Sequence, residues 1–204
     1  MMDRNLGATS AKPGDVAALG LFYQWGRKDP FLGSSSINEP VLSKSTITWP
    51  SAVSSSSEVG TIDYAIKHPT TFITLNSSND DWYYSETSKT DNTRWALDKT
   101  MYDPCPYGWK VSSNYVWYEF KNTTFSGYEG MTFYEASSPS TWYPASGNLS
   151  SNGNLVSTAI NVYYWSYSTA GRYAYALNFN QNHFVYNDAK VSRAVGALVR
   201  CIKE

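Results

Sequence analysis

The segment that begins at Asn79 places three oxygen-bearing side chains directly before three aromatic rings. Its residues are Asn79, Asp80, Asp81, Trp82, Tyr83 and Tyr84. Aromatic rings pack on the apolar faces of a ligand, while Asn and Asp side chains bind its polar groups. This combination predicts a ligand-binding loop, with a glycan as the expected ligand. The alternative is that the rings pin a long loop to the core, because each buried aromatic ring contributes a large contact area.

Histidine is the residue that general acid–base or nucleophilic catalysis most often needs. The chain has only two, His68 and His183. A catalytic role would require a nucleophile and an orienting acid within hydrogen-bond reach of one of them. The sequence shows no G-x-S-x-G, H-E-x-x-H or C-x-x-C motif. We therefore expect no catalytic residues, no cofactor and no enzymatic activity.

Composition narrows the class of protein further. The chain has 204 residues, a formal net charge of −1, 16% charged residues and 16% aromatic residues. Nucleic-acid binding relies on clustered Lys and Arg, so this balance argues against it. No apolar run reaches the ~18 residues of a membrane-spanning helix. The length suits one domain, residues 1–204, and the polar, aromatic-rich composition favours strands and long loops.

Local signals predict several elements in the first half of the chain. Asp15 is expected to cap a helix that continues through Phe22 and Tyr23. Thr61 is expected to cap one short helix, from Ile62 to Lys67. The segment 70–75 is predicted to be a strand, and Ser112 or Ser113 to cap a helix that places Trp117 and Phe120 on one side.

The last third of the chain has the pattern of a β-sheet. Asn152-Gly153 is a hairpin signal, and residues 195–202 are expected to form a closing strand. From 172 to 180 the residues alternate with period two. This alternation predicts that the more buried face carries Tyr173, Tyr175, Leu177 and Phe179, and that the other face carries Arg172, Ala174, Ala176 and Asn178.

Several blocks of the chain resemble the FISUMP domain (the Fib_succ_major paralogous domain) and the related C-terminal modules of fimbrillin-like surface proteins of gut Bacteroidetes. The matching blocks are MDRNLGATSAKPGD at 2–15, LGLFYQWGRKDPF at 19–31, HPTTFI at 68–73, YDPCPYGWKV at 102–111, YYWSYS at 163–168 and ALVRCIKE at 197–204. The CP-x-GW block and the terminal VRC block are the most specific when taken together. Where family members carry PSxxEWExL, this chain has SSNYVWYEF at 112–120.

The resemblance implies a C-type-lectin-like α+β fold: an antiparallel sheet, one or two short helices and long ordered loops. It also implies an extracytoplasmic protein, secreted or lipid-anchored, of which residues 1–204 form the C-terminal part. On this basis we expect a non-enzymatic adhesion or glycan-binding module. The alternative function is a structural or protein-interacting component of a surface or fimbrial assembly, and the expected partners are glycans or surface proteins.

An exported location bears on the only two cysteines, Cys105 and Cys201. Disulfides persist in oxidising compartments, so export favours a bridge between the central turn and the closing strand. Two buried free thiols are the alternative.

Calcium is the ion to consider for a C-type-lectin-like fold, where Glu-Pro-Asn and Trp-Asn-Asp motifs hold it. Asn187 and Asp188 follow Tyr186 as a loose match to the second motif, whereas Asn38-Glu39-Pro40 has the wrong order for the first. Asn79-Asp80-Asp81 is a second oxygen-rich cluster. Calcium takes six to eight oxygens, and each of these two clusters supplies only part of that shell. Asn and Asp also form turns with their own backbone, so we predict no metal site, with Asn187 and Asp188 as weak candidates.

Overall fold

The computed structural model describes residues 1–33, 52–75, 80–87, 89–126, 130–134 and 140–204. Within these ranges the chain is mostly strand with short helices, which agrees with the α+β class. The helices are α1 (Ile62–Lys67) and two 3-10 helices, Val16–Ala18 and Asn114–Glu119. The strands are β1 (Phe22–Gln24), β2 (Ala52–Ser54), β3 (Phe72–Thr74), β4 (Trp109–Val111), β5 (Lys121–Ser126), β6 (Gly130–Tyr134), β7 (Thr141–Pro144), β8 (Asn148–Leu149), β9 (Leu155–Val156), β10 (Asn161–Ala170), β11 (Tyr173–Asn180), β12 (Val185–Ser192), β13 (Gly196–Leu198) and β14 (Cys201–Lys203).

Helix α1 has the bounds that its local signals predict. The Tyr64 N–H donates to Thr61 Oγ1 at 3.1 Å, which satisfies one of the unpaired N–H groups at the helix start. The helix ends at Lys67, and the non-helical His68 precedes Pro69. On the exposed side, Lys67 Nζ lies 2.8 Å from Asp63 Oδ2, one helical turn earlier.

The expected first helix proves much shorter. Asp15 caps it, because the Ala17 N–H donates to Asp15 Oδ1 at 2.9 Å. The helix nevertheless stops after one turn, and Phe22 and Tyr23 lie in β1. Gly20 explains the difference: its φ of +78° is a left-handed conformation that breaks the helix and turns the chain into the strand.

The main sheet has the strand order β12-β11-β10-β13-β8-β9, and β1 also pairs with β13. The predicted hairpin forms between β8 and β9, with Gly153 at a φ of +83°. The expected closing strand divides in two. β13 joins the main sheet, whereas β14 leaves it and pairs with β4. The remaining strands form a parallel β2–β3 pair and a β5-β6-β7 sheet.

Hydrophobic side chains cover both faces of the main sheet, and this corrects the prediction for β11. Leu177 and Phe179 are buried in one core, as expected. Ala174 and Ala176 are buried too, in a second core on the opposite face, while Tyr173 and Tyr175 are only partly buried. Ala174 and Ala176 belong to the face predicted to be less buried, but their small side chains make room there for large tryptophans. The first core includes Phe22, Trp117, Met131, Phe133, Tyr143, Tyr164 and Leu198; the second includes Tyr23, Trp25, Trp95, Trp165 and Val199.

A disulfide joins Cys105 to Cys201, with Cα atoms 6.0 Å apart and a sequence separation of 96. It connects the turn before β4 to β14, which pairs with β4 directly. The Asp103 carboxylate organises this turn, because it accepts hydrogen bonds from the N–H groups of Cys105 at 2.8 Å and Val111 at 2.9 Å. Among the helices of the described ranges, none has the length and apolar character needed to cross a membrane.

Candidate functional site

The second 3-10 helix presents a pair of tyrosines to solvent. A 3-10 helix has three residues per turn, so side chains three positions apart lie one above the other. Its inner edge carries Asn114 and Trp117, which are buried, and its outer edge carries Tyr115 and Tyr118, which are 73% and 54% exposed. The two tyrosine rings lie 6.1 Å apart and are tilted by 34°. Burial of Trp117 therefore fixes two exposed rings in place beside each other.

The sheet adds a carboxylate and a third ring to this pair. Asp188 and Tyr175 both lie close to Tyr118, and partial desolvation together with the Asp188 carboxylate raises the pKa of Tyr118. Asp188 is exposed, and Tyr175 is partly exposed on the neighbouring strand. We call Tyr115, Tyr118, Tyr175 and Asp188 the tyrosine surface.

Asp188 lies at a bulge in β12. Ala176 pairs with Ala189, and Asn178 pairs with Tyr186, so two residues of β12, Asn187 and Asp188, stand opposite a single residue of β11. The two weak metal candidates therefore belong to a sheet irregularity. Within the described ranges, no group of three or more His, Cys, Asp or Glu is placed to hold a metal ion.

Tyr115 also borders a surface depression of about 280 Å³. Val116 and Glu119 line it from the same 3-10 helix, and Met1 and Ile202 line it from the two ends of the chain. The tyrosine surface thus continues into a concave region that has both an apolar wall and a carboxylate.

The structure buries two residues of the loop that was predicted to bind a ligand, Asp81 and Trp82. Trp82 is 1% exposed, and its Nε1–H donates to the Trp25 carbonyl at 2.8 Å. Asp81 is fully buried, which removes both side chains from contact with any ligand in solution. Asp80 pairs at the surface with Arg172 at 2.8 Å, and Tyr83 and Tyr84 are partly exposed. Asn79, like the Asn38-Glu39-Pro40 segment, lies outside the described residues.

Trp82 belongs to a stack in which guanidinium groups alternate with aromatic rings. Arg193 lies 4.4 Å from the Trp25 ring, and Arg94 lies 5.0 Å from Trp25 on one side and 4.7 Å from Trp82 on the other. Arg27 then lies 5.6 Å from Trp82 and 5.0 Å from Phe31. All of these spacings fall within cation–π range. We call this stack the arginine–aromatic ladder; in order, it contains Arg193, Trp25, Arg94, Trp82, Arg27 and Phe31.

The ladder contains three buried guanidinium groups, and the carboxylate of Asp81 is buried beside two of them. Asp81 forms an ion pair with Arg94 and lies 3.7 Å from Arg193, and all three side chains are fully buried. Burial lowers the pKa of Arg27 and of Arg193 to about 10. A buried charge is tolerated only when it is paired and hydrogen-bonded, so Asp81 is a structural residue.

Both histidines take part in local structure. The His68 ring stacks on Tyr64 at the end of α1, with ring centres 4.1 Å apart. His183 lies in the turn between β11 and β12 at a φ of +65°, and its N–H donates to the Asn180 carbonyl at 3.0 Å.

Residue types alone did not predict the tyrosine surface. The signal was present, since Tyr115 and Tyr118 have the same three-residue spacing as Trp117 and Phe120, which the sequence predicts to share one side of the helix. Comparison with family models, curated proteins and solved structures gave no match to this chain.

Proposed function

We propose that the protein is a non-enzymatic adhesion module that binds glycans at the tyrosine surface. The observation that carries the proposal is the exposed pair Tyr115 and Tyr118, held in place from below by Trp117. Sugar rings pack their C–H faces on such aromatic rings, and the Asp188 carboxylate is placed beside them to accept hydrogen bonds from hydroxyl groups. The adjoining depression at Glu119 leaves room for a chain of more than one sugar unit.

The proposal includes an extracytoplasmic location and a C-type-lectin-like fold of the FISUMP type. The disulfide between Cys105 and Cys201 supports export, because such bonds persist in oxidising compartments. The sheet with its few short helices and long loops is compatible with that fold.

A glycan array tests this proposal, followed by titration of the best ligand against single variants. We expect Tyr118→Ala and Tyr115→Ala each to weaken binding about tenfold or more, which corresponds to ~1.4 kcal/mol. Tyr107→Ala is the matched control, since Tyr107 is 100% exposed and takes no part in the tyrosine surface. Binding that survives both tyrosine variants, or an array without any ligand, would overturn the proposal.

The second candidate function is a protein-interacting component of a surface assembly, and one feature favours it. β12 is an edge strand of the main sheet, and Phe184 and Tyr186 are exposed at its start. Exposed edges can pair with another chain, although the bulge and the charged Asp188 and Lys190 oppose this. Sedimentation over a range of concentrations distinguishes the candidates: self-association abolished by Tyr186→Lys, and unaffected by Tyr107→Lys, would favour assembly.

A further inference from the structure

The aromatic part of the tyrosine surface continues along β11, toward the start of that strand. Tyr175 and Tyr173 are two positions apart, in a stretch where β11 and β12 pair without a shift in register. Side chains two positions apart in a strand lie on the same face of the sheet. Tyr173 therefore shares the face on which Tyr175 meets Tyr118, and both strand tyrosines are partly exposed. Ala174, between them, is buried in the second core on the opposite face.

Four tyrosine rings thus follow one another from the 3-10 helix onto the sheet. Tyr118 has two ring neighbours: Tyr115, with ring centres 6.1 Å apart, and Tyr175 on the sheet. Alternate residues of a strand are about 6.6–6.8 Å apart, and this sets the spacing of Tyr175 and Tyr173. These spacings are comparable with the length of one sugar unit in an extended chain. We call Tyr115, Tyr118, Tyr175 and Tyr173 the tyrosine row.

Polar groups of β12 lie beside the row. Lys190 is exposed and pairs directly with Tyr175, and the exposed Asp188 lies next to Tyr118. The ammonium group donates hydrogen bonds and the carboxylate accepts them. The row therefore offers apolar rings for the C–H faces of sugars and both kinds of hydrogen-bonding group for their hydroxyls. A purely apolar partner would instead desolvate both charges without replacing their hydrogen bonds.

Charges of both signs are distributed along the row. Asp188 and Glu119 are acidic, whereas Lys190 and Arg172 are basic. The Arg172 guanidinium lies 5.3 Å from the last ring of the row and also pairs with Asp80 at 2.8 Å. A strongly acidic or strongly basic polymer would meet repulsion at one part of the row or another. The mixed signs therefore favour an uncharged chain.

We propose that the tyrosine row binds an extended stretch of a linear, uncharged polysaccharide, with about four sugar units in contact, one for each ring. This inference rests on the proposed function, because it specifies the class of glycan that the tyrosine surface takes. A single sugar or a short terminal epitope covers only Tyr115 and Tyr118. A longer chain also reaches Tyr175 and Tyr173, and affinity should therefore depend on chain length.

Isothermal titration calorimetry with oligosaccharides of one to six units tests the assignment on the whole chain. The neutral probes are cello-, xylo-, manno- and malto-oligosaccharides, and oligogalacturonates are the acidic comparison. We expect affinity for at least one neutral series to increase about tenfold or more from the disaccharide to the tetrasaccharide, and then to level off. A disaccharide that binds as tightly as the hexasaccharide would overturn the proposal, as would tighter binding of the oligogalacturonates or no binding in any neutral series. Tighter binding of a decaproline peptide would overturn the assignment to a glycan.

Tyr173 distinguishes this inference from the proposed function, because only the longer chain reaches it. Tyr173→Ala should lower the ratio of tetrasaccharide to disaccharide affinity at least about fivefold, whereas Tyr118→Ala should weaken the binding of both. Tyr173→Phe keeps the ring and should retain the length dependence. Lys190→Ala removes a hydrogen-bond donor at an exposed position, so it tests the same part of the row if Tyr173→Ala folds poorly.

The pattern of losses decides between the outcomes. Tyr107→Ala is again the control, since Tyr107 is fully exposed and lies outside the row. An unchanged affinity ratio in both Tyr173→Ala and Lys190→Ala, together with a loss in Tyr118→Ala, would refute the inference and leave the proposed function standing. Binding that none of these three variants weakens would refute both.

Discussion

The variant Trp82→Ala tests whether Trp82 packs in the core or binds a ligand. The structure predicts how much this substitution lowers the free energy of unfolding. The Trp82 side chain is 1% exposed and packs in a cluster with Ala65, Ile73 and Ala194. Truncating a buried Trp to Ala costs ~3–5 kcal/mol, and loss of the hydrogen bond from Nε1 to the Trp25 carbonyl adds about 1 kcal/mol. We expect a decrease of ~4–6 kcal/mol in the free energy of unfolding. A domain has only ~5–15 kcal/mol in total, so the variant should be close to its limit of stability.

Urea unfolding followed by circular dichroism measures this loss directly. In a domain of this size, each kcal/mol lowers Tm by ~2–4 °C, so a decrease of about 10–20 °C is expected as well. Trp82→Phe keeps an aromatic ring in the ladder and should lose roughly half as much or less. Tyr107→Ala, at a fully exposed ring, should change stability by no more than ~0.5 kcal/mol. A Trp82→Ala protein of near-normal stability that had lost glycan binding would refute the core assignment.

Three other perturbations test the buried charges, the disulfide and the buried Tyr23. Asp81→Asn should cost ~3–5 kcal/mol in urea unfolding, because it leaves two buried guanidinium groups uncompensated, whereas Asp80→Asn next to it removes only a surface pair and should cost ~1 kcal/mol or less. Equal losses from the two variants would contradict this. Reduction of the disulfide should lower the unfolding free energy by up to ~4–5 kcal/mol, the chain-entropy value for a loop of this length, as compared by urea unfolding with and without reductant. Burial raises the pKa of Tyr23, so the folded state keeps the phenolic proton at a pH where the unfolded chain loses it, near pH ~10. The free energy of unfolding should therefore be unaffected by Tyr23 below that pH and should fall above it. Tyr23→Phe should show a smaller fall between pH ~8 and ~11, and an unchanged fall would exclude Tyr23 as a contributor.

Elements controlled by neighbouring residues could be predicted from the sequence. Helix α1 follows from Thr61 and Pro69, and the β8–β9 hairpin follows from Asn152-Gly153, because caps and turns act over a few positions. The prediction of a longer first helix was wrong for a local reason as well. Gly20 ends the helix, although the apolar pattern continues into β1.

Features that depend on distant residues could not be predicted in this way. The polar and aromatic composition around Asp81 and Trp82 suits an exposed binding loop and a buried ion-pair network equally well. The difference is made by Arg193, more than 100 positions away, whose burial no local pattern indicates. The same holds for β11, where a second core covers the face that carries Ala174 and Ala176. The tyrosine surface is exposed because the 3-10 helix packs its Trp117 side on the core. This packing depends on tertiary contacts, which a local pattern does not indicate.

The arginine–aromatic ladder has a consequence for the kinetics of folding. Its members come from the beginning, the middle and the end of the chain, so it can assemble only after long loops have closed. We expect these contacts to form after the transition state, and contacts of that kind slow unfolding more than they accelerate folding. Substitutions within the ladder should therefore leave the refolding rate nearly unchanged and increase the unfolding rate. A slow unfolding rate would extend the working lifetime of the protein in the extracytoplasmic location that we propose for it.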